Sequence, residues 1–462
     1  MKKKRFRIEK DYLGKKKIPF NEYYGIQTER ALENFPISNL HLQKSLIYSI
    51  AKVKKAAAIT NIKSKALDKK IGNAIVKACE NILRGKLDRE FNVDVFQAGA
   101  GTSENMNLNE VIANKALEIL HKKKGSYNII NPNDHVNLSQ STNDVFHSSI
   151  HIAAYSEIEE LLINLENLEK ELKNKSILWK NVIKSGRTHL RDAVPMTLGE
   201  EFSGYSSLIR KDSEHIKDAS KQLLEINIGG TAIGTKVNTN KFYQENILKE
   251  INKLTKLKFT HSKNFFEGSS SLDAIVLTSS SLKVLSVNLI KIANDLRLLS
   301  SGPITGFNEI IIPAVQPGSS IMPAKVNPAI LEMMDMICFQ VIGNDTVIEL
   351  CGQEGQLELN VMMPLAAYSL INSIQILTKG IYVFTEKCVK GIKANEKKCL
   401  EYFEKNPIIV TALTPYIGYN KAAELAKKAY KQGRSIKEIV LERKLLNKNE
   451  LERIFSLHNL IK

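Results

Sequence analysis

The chain has 462 residues, with 66 Lys and Arg against 49 Asp and Glu, a formal net charge of +17 and 43% hydrophobic residues. These fractions exclude wholesale disorder, a collagen-like repeat and a disulfide-dense scaffold, and the length suffices for about two to four domains. The positive balance is mostly scattered lysine, without zinc-finger spacing or an aromatic-interleaved RNA-binding motif, so a solvated basic surface is predicted and no nucleic-acid partner.

The basic start, MKKKRFRIEKDYLGKKK, has no apolar stretch of signal-peptide length behind it, and export is not expected. Hydrophobic spacing then predicts long helices. Ile158, Leu161, Leu165, Leu168 and Leu172 form one stripe. Leu282, Leu285, Leu289, Ile292, Leu296 and Leu299 form a second, and Leu370, Ile374, Leu377, Ile381, Phe384 and Cys388 a third. Three seams so far apart in sequence predict a mainly α protein built on a bundle of long antiparallel helices, with seams long enough for burial between subunits. The most apolar segment, 274–300, is interrupted by Lys283, Asn288, Lys291, Asn294, Asp295 and Arg297, too many polar groups for a membrane span. Soft boundaries divide the chain into an N-terminal domain 1–141, a central helical-bundle domain 142–396 and a small C-terminal helical domain 397–462. Cys79, Cys338, Cys351, Cys388 and Cys399 stand far apart, with no CxxC or His/Cys metal spacing, and suit the reduced thiols of a cytoplasmic protein.

Four segments are dense in Gly, Ser, Thr, Asn and His: 99–109, 131–144, 185–195 and 318–328. Hydroxyls, amides and backbone N–H groups supply donors without bulk, as a site for a small anion requires. The last of them, GSSIMPAKVNP, opens on a glycine and two serines that can form a turn presenting hydroxyls and amides. Lys325 and Asn327 lie close enough to converge on one carboxylate. The plain structural alternative is a surface turn with an isolated lysine.

GSSIMPAKVNP resembles the signature loop of the aspartase/fumarase superfamily. GAGTSENMNLNEVIAN at 99–114, PNDHVNLSQSTNDVF at 132–146 and SGRTHLRDAVPMTLGEEF at 185–202 resemble its other blocks, in their usual order and separation. YYGIQTERALENFPIS at 23–38 and GQLELNVM at 355–362 extend the resemblance over nearly the whole chain. It implies a three-domain aspartase/fumarase-like fold whose bundle helices form a homotetramer, with each site shared between subunits. KVNP after the serines separates the chain from the argininosuccinate and adenylosuccinate lyases. GAGTS, the alanine before Lys325 and GQLELNVM resemble the branch that deaminates L-aspartate to fumarate and ammonia. The alternatives are a class II fumarase acting on L-malate and a non-catalytic relative with a structural or binding use.

The resemblance also implies roles. Ser319 is the base, acting as an oxyanion that takes a proton beside a carboxylate and leaves an aci-carboxylate with two negative charges. A serine can do this only where N–H groups and a cation stabilise its anion. Lys325 and Asn327 bind carboxylate, Thr102, Ser141, Thr142, Asn143, Thr188 and Ser320 supply further contacts, and His189 touches substrate with Glu332 orienting it. Asn133, Asp134 and His135 resemble a second anion-contact region of fumarases, against which a plain polar turn is kept. No cofactor motif or metal-ligand cluster is present in the sequence, so no cofactor is expected, and activation by a divalent cation is left open. His147, Lys236, Ile304 and Met363 depart from the residues usual at their places.

Overall fold

The computed structural model describes residues 5–456, so the first four residues of the basic start and the last six of the expected C-terminal domain lie outside the described residues. A β-hairpin opens the chain, pairing β1 (Phe6–Asp11) with β2 (Gly14–Pro19). Helices α1 (Ile26–Asn34), α2 (Lys44–Lys63), α3 (Lys69–Leu83) and α4 (Thr102–Ile119) follow, and the long α5 (Thr142–Leu178) leads to a second hairpin of β3 (Ile183–Thr188) and β4 (Arg191–Thr197). Next come α6 (Leu198–Ser220), β5 (Glu225–Ile226), α7 (Lys241–Thr255), β6 (Thr260–His261), the single turn α8 (Glu267–Ser270) and α9 (Asp273–Leu299). After β7 (Ile310–Ile311) run α10 (Ala329–Gln353) and α11 (Met363–Lys387), then β8 (Lys393–Ala394). The short helices α12 (Glu396–Lys405), α13 (Thr414–Ile417), α14 (Tyr419–Gln432), α15 (Ile436–Glu442) and α16 (Lys448–Ile454) complete the described chain.

The mainly helical architecture follows from the seams: every residue of the three predicted stripes is buried. The chain separates into two compact units, and the division falls within α5, α6, α9, α10 and α11. The first holds residues up to 161 together with 215–284 and 340–377, and the second holds 162–214, 285–339 and the chain from 378 onward.

In the first unit α2 packs against α3 and α7, and α3 against α4. Polar pairs register its longer helices. The Ser279 hydroxyl of α9 donates to Asp345 of α10 at 2.7 Å, and a side chain at Gly352 would meet Val276, so these helices run antiparallel. Asn344 donates to Ser373 of α11 at 2.9 Å, and Gln375 of α11 to Glu157 of α5 at 2.8 Å.

In the second unit the Tyr205 hydroxyl of α6 donates to Asp295 of α9 at 3.0 Å, and Asn288 of α9 donates to Asp212 of α6 at 2.8 Å, again an antiparallel order. Arg297 of α9 pairs with Asp335 of α10 at 2.9 Å. The C-terminal helices enclose a core of their own around Phe403, Leu413, Leu425, Ile439 and Ile454. Capping boxes at Ser435/Glu438 and Asn447/Glu450 satisfy the first N–H groups of α15 and α16.

Helix α9 has the length and apolarity of a membrane span, but its polar side chains are held by neighbouring helices within each unit, as in a protein core. Its predicted stripe lies inside the chain's own core, with Leu289 only 1% exposed. Other apolar side chains are left exposed: Leu277, Val284, Val287 and Leu298 on α9, and Met336, Phe339 and Leu350 on α10.

Two departures from the family pattern are buried. Met363 is fully buried at the start of α11, and His147 lies within α5 one turn before His151. His147 Nε2 lies 3.1 Å from the Ser271 carbonyl and His151 Nδ1 2.8 Å from that of Glu225, with the rings 4.6 Å apart. Burial lowers the proton affinity of both rings, that of His151 to about 3. Their unfolded value is about 6.5, so the stability from keeping them neutral is present above that pH and is lost as pH falls below it, by at most about 1.4 kcal/mol per histidine per pH unit. Buried Glu104 and Glu110, raised to about 8 and about 7, act in the opposite sense, stabilising at low pH and losing that contribution as pH rises through those values. Comparison with His151→Phe isolates the histidine: in urea titrations from pH 7 to pH 5, the variant should lose about 1–2 kcal/mol less than the parent.

Candidate functional site

In the first unit, two helix starts carry the predicted anion contacts. The 99–102 turn needs left-handed backbone at Ala100 (φ 61°) and Gly101 (φ 81°), and a Cβ at Gly101 would sit 2.5 Å from the Phe146 ring. This turn delivers Thr102 as the first residue of α4, its hydroxyl donating to the Gly99 carbonyl at 3.1 Å. At α5 the Ser141 hydroxyl accepts the Asn143 N–H at 3.3 Å, and the Ser141 N–H donates to Asp144 at 2.9 Å. Asp144 also accepts the N–H groups of Gly229 and Thr231, and Asn143 donates to the Ala232 carbonyl at 2.7 Å, so the start of α5 is fixed from both sides. Asn105 donates to the Thr142 hydroxyl at 2.9 Å and ties the first turns of α4 and α5 together. The positive ends of two helix dipoles make this a place for an anion.

The 132–136 turn closes on itself. The Asn131 side chain accepts the N–H groups of Asn133 and Asp134, while His135 Nδ1 accepts that of Asn131 at 2.9 Å. These internal bonds are those of a plain polar turn.

In the second unit, Thr188 ends β3 and pairs with Arg191, leaving His189 (φ 55°) and Leu190 (φ 57°) as the two central residues of a hairpin turn. Both adopt the left-handed conformation that Asn-Gly ordinarily fills, at a cost of about 1–2 kcal/mol per residue. The hairpin is anchored from below. Buried Glu309 pairs with Lys184 at 2.8 Å and Arg187 at 2.7 Å, and Arg187 stacks on Phe307. The Asn406 side chain donates to the Ala193 carbonyl at 2.8 Å. Thr188 and His189 are thereby presented to solvent on a rigid support.

The 318–328 loop is also self-braced. The Gly318 N–H donates to the Lys325 carbonyl at 2.9 Å, and Asn327 Nδ2 donates to the Gly318 carbonyl. A Cβ at Gly318 would lie 2.5 Å from backbone atoms of Lys325 and Asn327, so only glycine permits this closure. Within it the Ser319 hydroxyl accepts the N–H groups of Met322 at 2.9 Å and Ile321 at 3.3 Å. Ser320 and Lys325 are exposed, whereas Asn327 is half-buried. The Pro328 carbonyl accepts the Glu332 N–H at 3.1 Å and starts α10. Lys325, Asn327 and Glu332 share the wall of a cavity of ≈ 1030 Å³ with Arg297 and Asn308.

The predicted residues thus form three groups, each locally ordered: Thr102 with Ser141, Thr142 and Asn143; Thr188 with His189; and Ser319, Ser320, Lys325, Asn327 and Glu332. Thr188, His189 and Ser319 are not on the cavity wall, and among the described residues no hydrogen bond joins His189 to Glu332. Sequence reasoning missed Asn105 and Glu309. Asn105 had a signal in the helical run Asn105, Asn107, Asn109, whose amides are all buried. Glu309 had none, being a single acid in a loop. Lys236 (φ 63°) lies 4.4 Å from the Phe265 ring and Ile304 is 87% exposed, both outside the serine loop.

Residues 14–343 match the Lyase family model, and 409–462 match the model for the Fumarase C C-terminus. The chain is 47% identical over 459 residues to the aspartate ammonia-lyase of Bacillus subtilis (strain 168), covering 99% of this chain and 97% of that protein. It is 48% identical over 457 residues to the aspartate ammonia-lyase of Helicobacter pylori (strain ATCC 700392 / 26695), covering 98% of each. Among solved structures, the fumarate lyase:delta crystallin from Brucella melitensis bound to cobalt superposes with a TM-score of 0.95 at 43% identity over 99% of both chains.

Proposed function

The chain belongs to the lyase family that includes the aspartases and fumarases, and from that premise we propose that it catalyses the reversible deamination of L-aspartate to fumarate and ammonia. The observation that carries the mechanism is the pair of N–H donors on the Ser319 hydroxyl. These dipoles stabilise an oxygen anion, and Lys325 six residues on adds a cation to the same loop. Ser319 in its oxyanion form removes the Cβ proton of L-aspartate. The electron pair left behind collects in the adjacent carboxylate, which becomes an aci-carboxylate held by Lys325 and Asn327. It then returns to form the double bond as the carbon–nitrogen bond breaks, and ammonia leaves.

The helix starts bearing Thr102, Ser141, Thr142 and Asn143 take a substrate carboxylate, with Thr188 and Ser320 adding hydroxyl contacts. His189 binds substrate from the hairpin tip, and Glu332 orients it. Ammonia needs no proton to depart, so no general acid is assigned. No metal or organic cofactor is assigned either.

The three local groups complete one another across subunits of a homotetramer. What supports this reading is the set of exposed apolar side chains along α9 and α10. Val287→Glu should lower the assembled fraction in sedimentation velocity and reduce activity in proportion, and a tetramer unaltered by it would place the interface elsewhere. The same reading keeps the three-domain division at 141/142 and 396/397 and a cytoplasmic location.

The reaction is tested by following the ultraviolet absorbance of fumarate with L-aspartate and L-malate in parallel. Fumarate from L-aspartate alone is expected, and fumarate from L-malate alone would make the chain a fumarase.

A further inference from the structure

Helix α2 carries a lysine that none of the four polar segments includes. Lys54 is fully buried, and its Nζ donates to Asn137 Oδ1 at 2.6 Å. The same oxygen accepts from Asn109 at 3.3 Å and from Asn105 at 3.4 Å, while Asn137 Nδ2 donates to the Gln140 carbonyl at 3.2 Å. Asn61, two turns further along α2, donates to the Leu138 carbonyl at 3.0 Å and accepts the Ser139 hydroxyl at 3.1 Å. Asn105 in turn donates to the Thr142 hydroxyl. A buried ammonium is thus linked through two asparagines to the first turn of α5.

Burying an ammonium costs several kcal/mol, and an apolar side chain of similar length would serve packing better. No carboxylate pairs directly with Lys54 among the described residues. The charged or titratable groups facing it are Asp144 on α5, already saturated by the N–H groups of Ser141, Gly229 and Thr231, and the Cys79 thiol on α3. Buried Tyr243 on α7 lies near Asp144 in turn. Asp144 thus acts on Lys54 as an opposing charge without a direct ion pair.

We propose that Lys54 is a positioning residue for the reaction: it fixes the 137–140 loop and keeps a positive charge behind the starts of α4 and α5, where a carboxylate of L-aspartate binds. The inference rests on the aspartate reading above. Burial lowers the proton affinity of Lys54 to about 7, with Asp144 opposing the shift. The charge is present below that pH and lost above it. A bound carboxylate favours the charged form, so KM rises as pH increases through this range.

The test uses the full chain as wild type, Lys54→Met and Asn105→Ala, with L-aspartate as substrate and succinate as a competitive probe. Absence of wild-type turnover on L-aspartate overturns the activity reading and this inference with it. With turnover present, Lys54→Met should raise KM and the succinate inhibition constant together by about tenfold or more, with kcat within about threefold. It should also abolish the rise of KM between about pH 6 and pH 8.5. Unchanged constants in a folded Lys54→Met protein, or a loss confined to kcat, overturn the proposal. If that variant does not fold, Asn105→Ala decides, because it keeps the lysine and cuts the link to Thr142: a raised KM supports the proposal, and an unchanged KM refutes it.

Discussion

Ser319→Ala should lower kcat for L-aspartate by about 10³-fold or more while leaving helix content, assembly and succinate affinity as in the parent. Deletion of the hydroxyl removes the atom that receives the Cβ proton. The backbone is expected to tolerate the change because the loop is closed by Gly318, Lys325 and Asn327 and not by the serine alone. Two N–H groups lose an acceptor, but the adjoining residues are exposed and water replaces it. Stopped-flow or steady-state fumarate absorbance measures the effect. Turnover like that of the parent would remove Ser319 from the role of base. Loss of succinate binding together with turnover would make it a structural residue of the loop.

Lys325→Met should cost about 3–4 kcal/mol in kcat/KM, roughly 10²–10³-fold. The developing aci-carboxylate carries two negative charges, so a cation beside it contributes more to the transition state than to the bound substrate. Most of the loss should therefore fall on kcat, with a smaller rise in KM. Lys325→Arg should not restore the rate, because the guanidinium is a planar fork and the site presents a point charge. Steady-state kinetics on L-aspartate for the two variants distinguish these effects. A change confined to KM would assign Lys325 to uniform substrate binding.

The long helices were legible because a regular apolar repeat is a one-dimensional signal, and each stripe residue is buried as its spacing requires. Which of two apolar faces meets the chain's own core was not legible, since Leu289 and Val287 are equally apolar and differ only in direction around α9. Ser319, Lys325 and Asn327 were legible as one compact motif. Their closure through the Gly318 N–H and the Asn327 amide depends on backbone approach that no residue type announces except the glycine. Arg187 stood in a recognised block beside the substrate residues, yet it is a support, paired with Glu309 and stacked on Phe307. Such pairings join positions more than a hundred residues apart, and a single sequence carries no trace of them. Lys54 was hidden for a related reason. Next to Lys55 in a lysine-rich chain it looks like solvated surface, and only burial separates the two.

The five cysteines all lie buried as free thiols, and burial pushes their proton affinity up, to about 12 for Cys79, Cys338, Cys388 and Cys399. A thiol that is both shielded and protonated reacts with neither alkylating agents nor disulfides at neutral pH. Each cysteine therefore becomes chemically visible only when the structure around it opens, and its labelling rate counts those openings. Cys79 reports on α3, Cys338 on the middle of α10, Cys351 on its C-terminal end, and Cys399 on α12. The chain carries its own set of clocks for local unfolding, readable by mass spectrometry without any engineered probe.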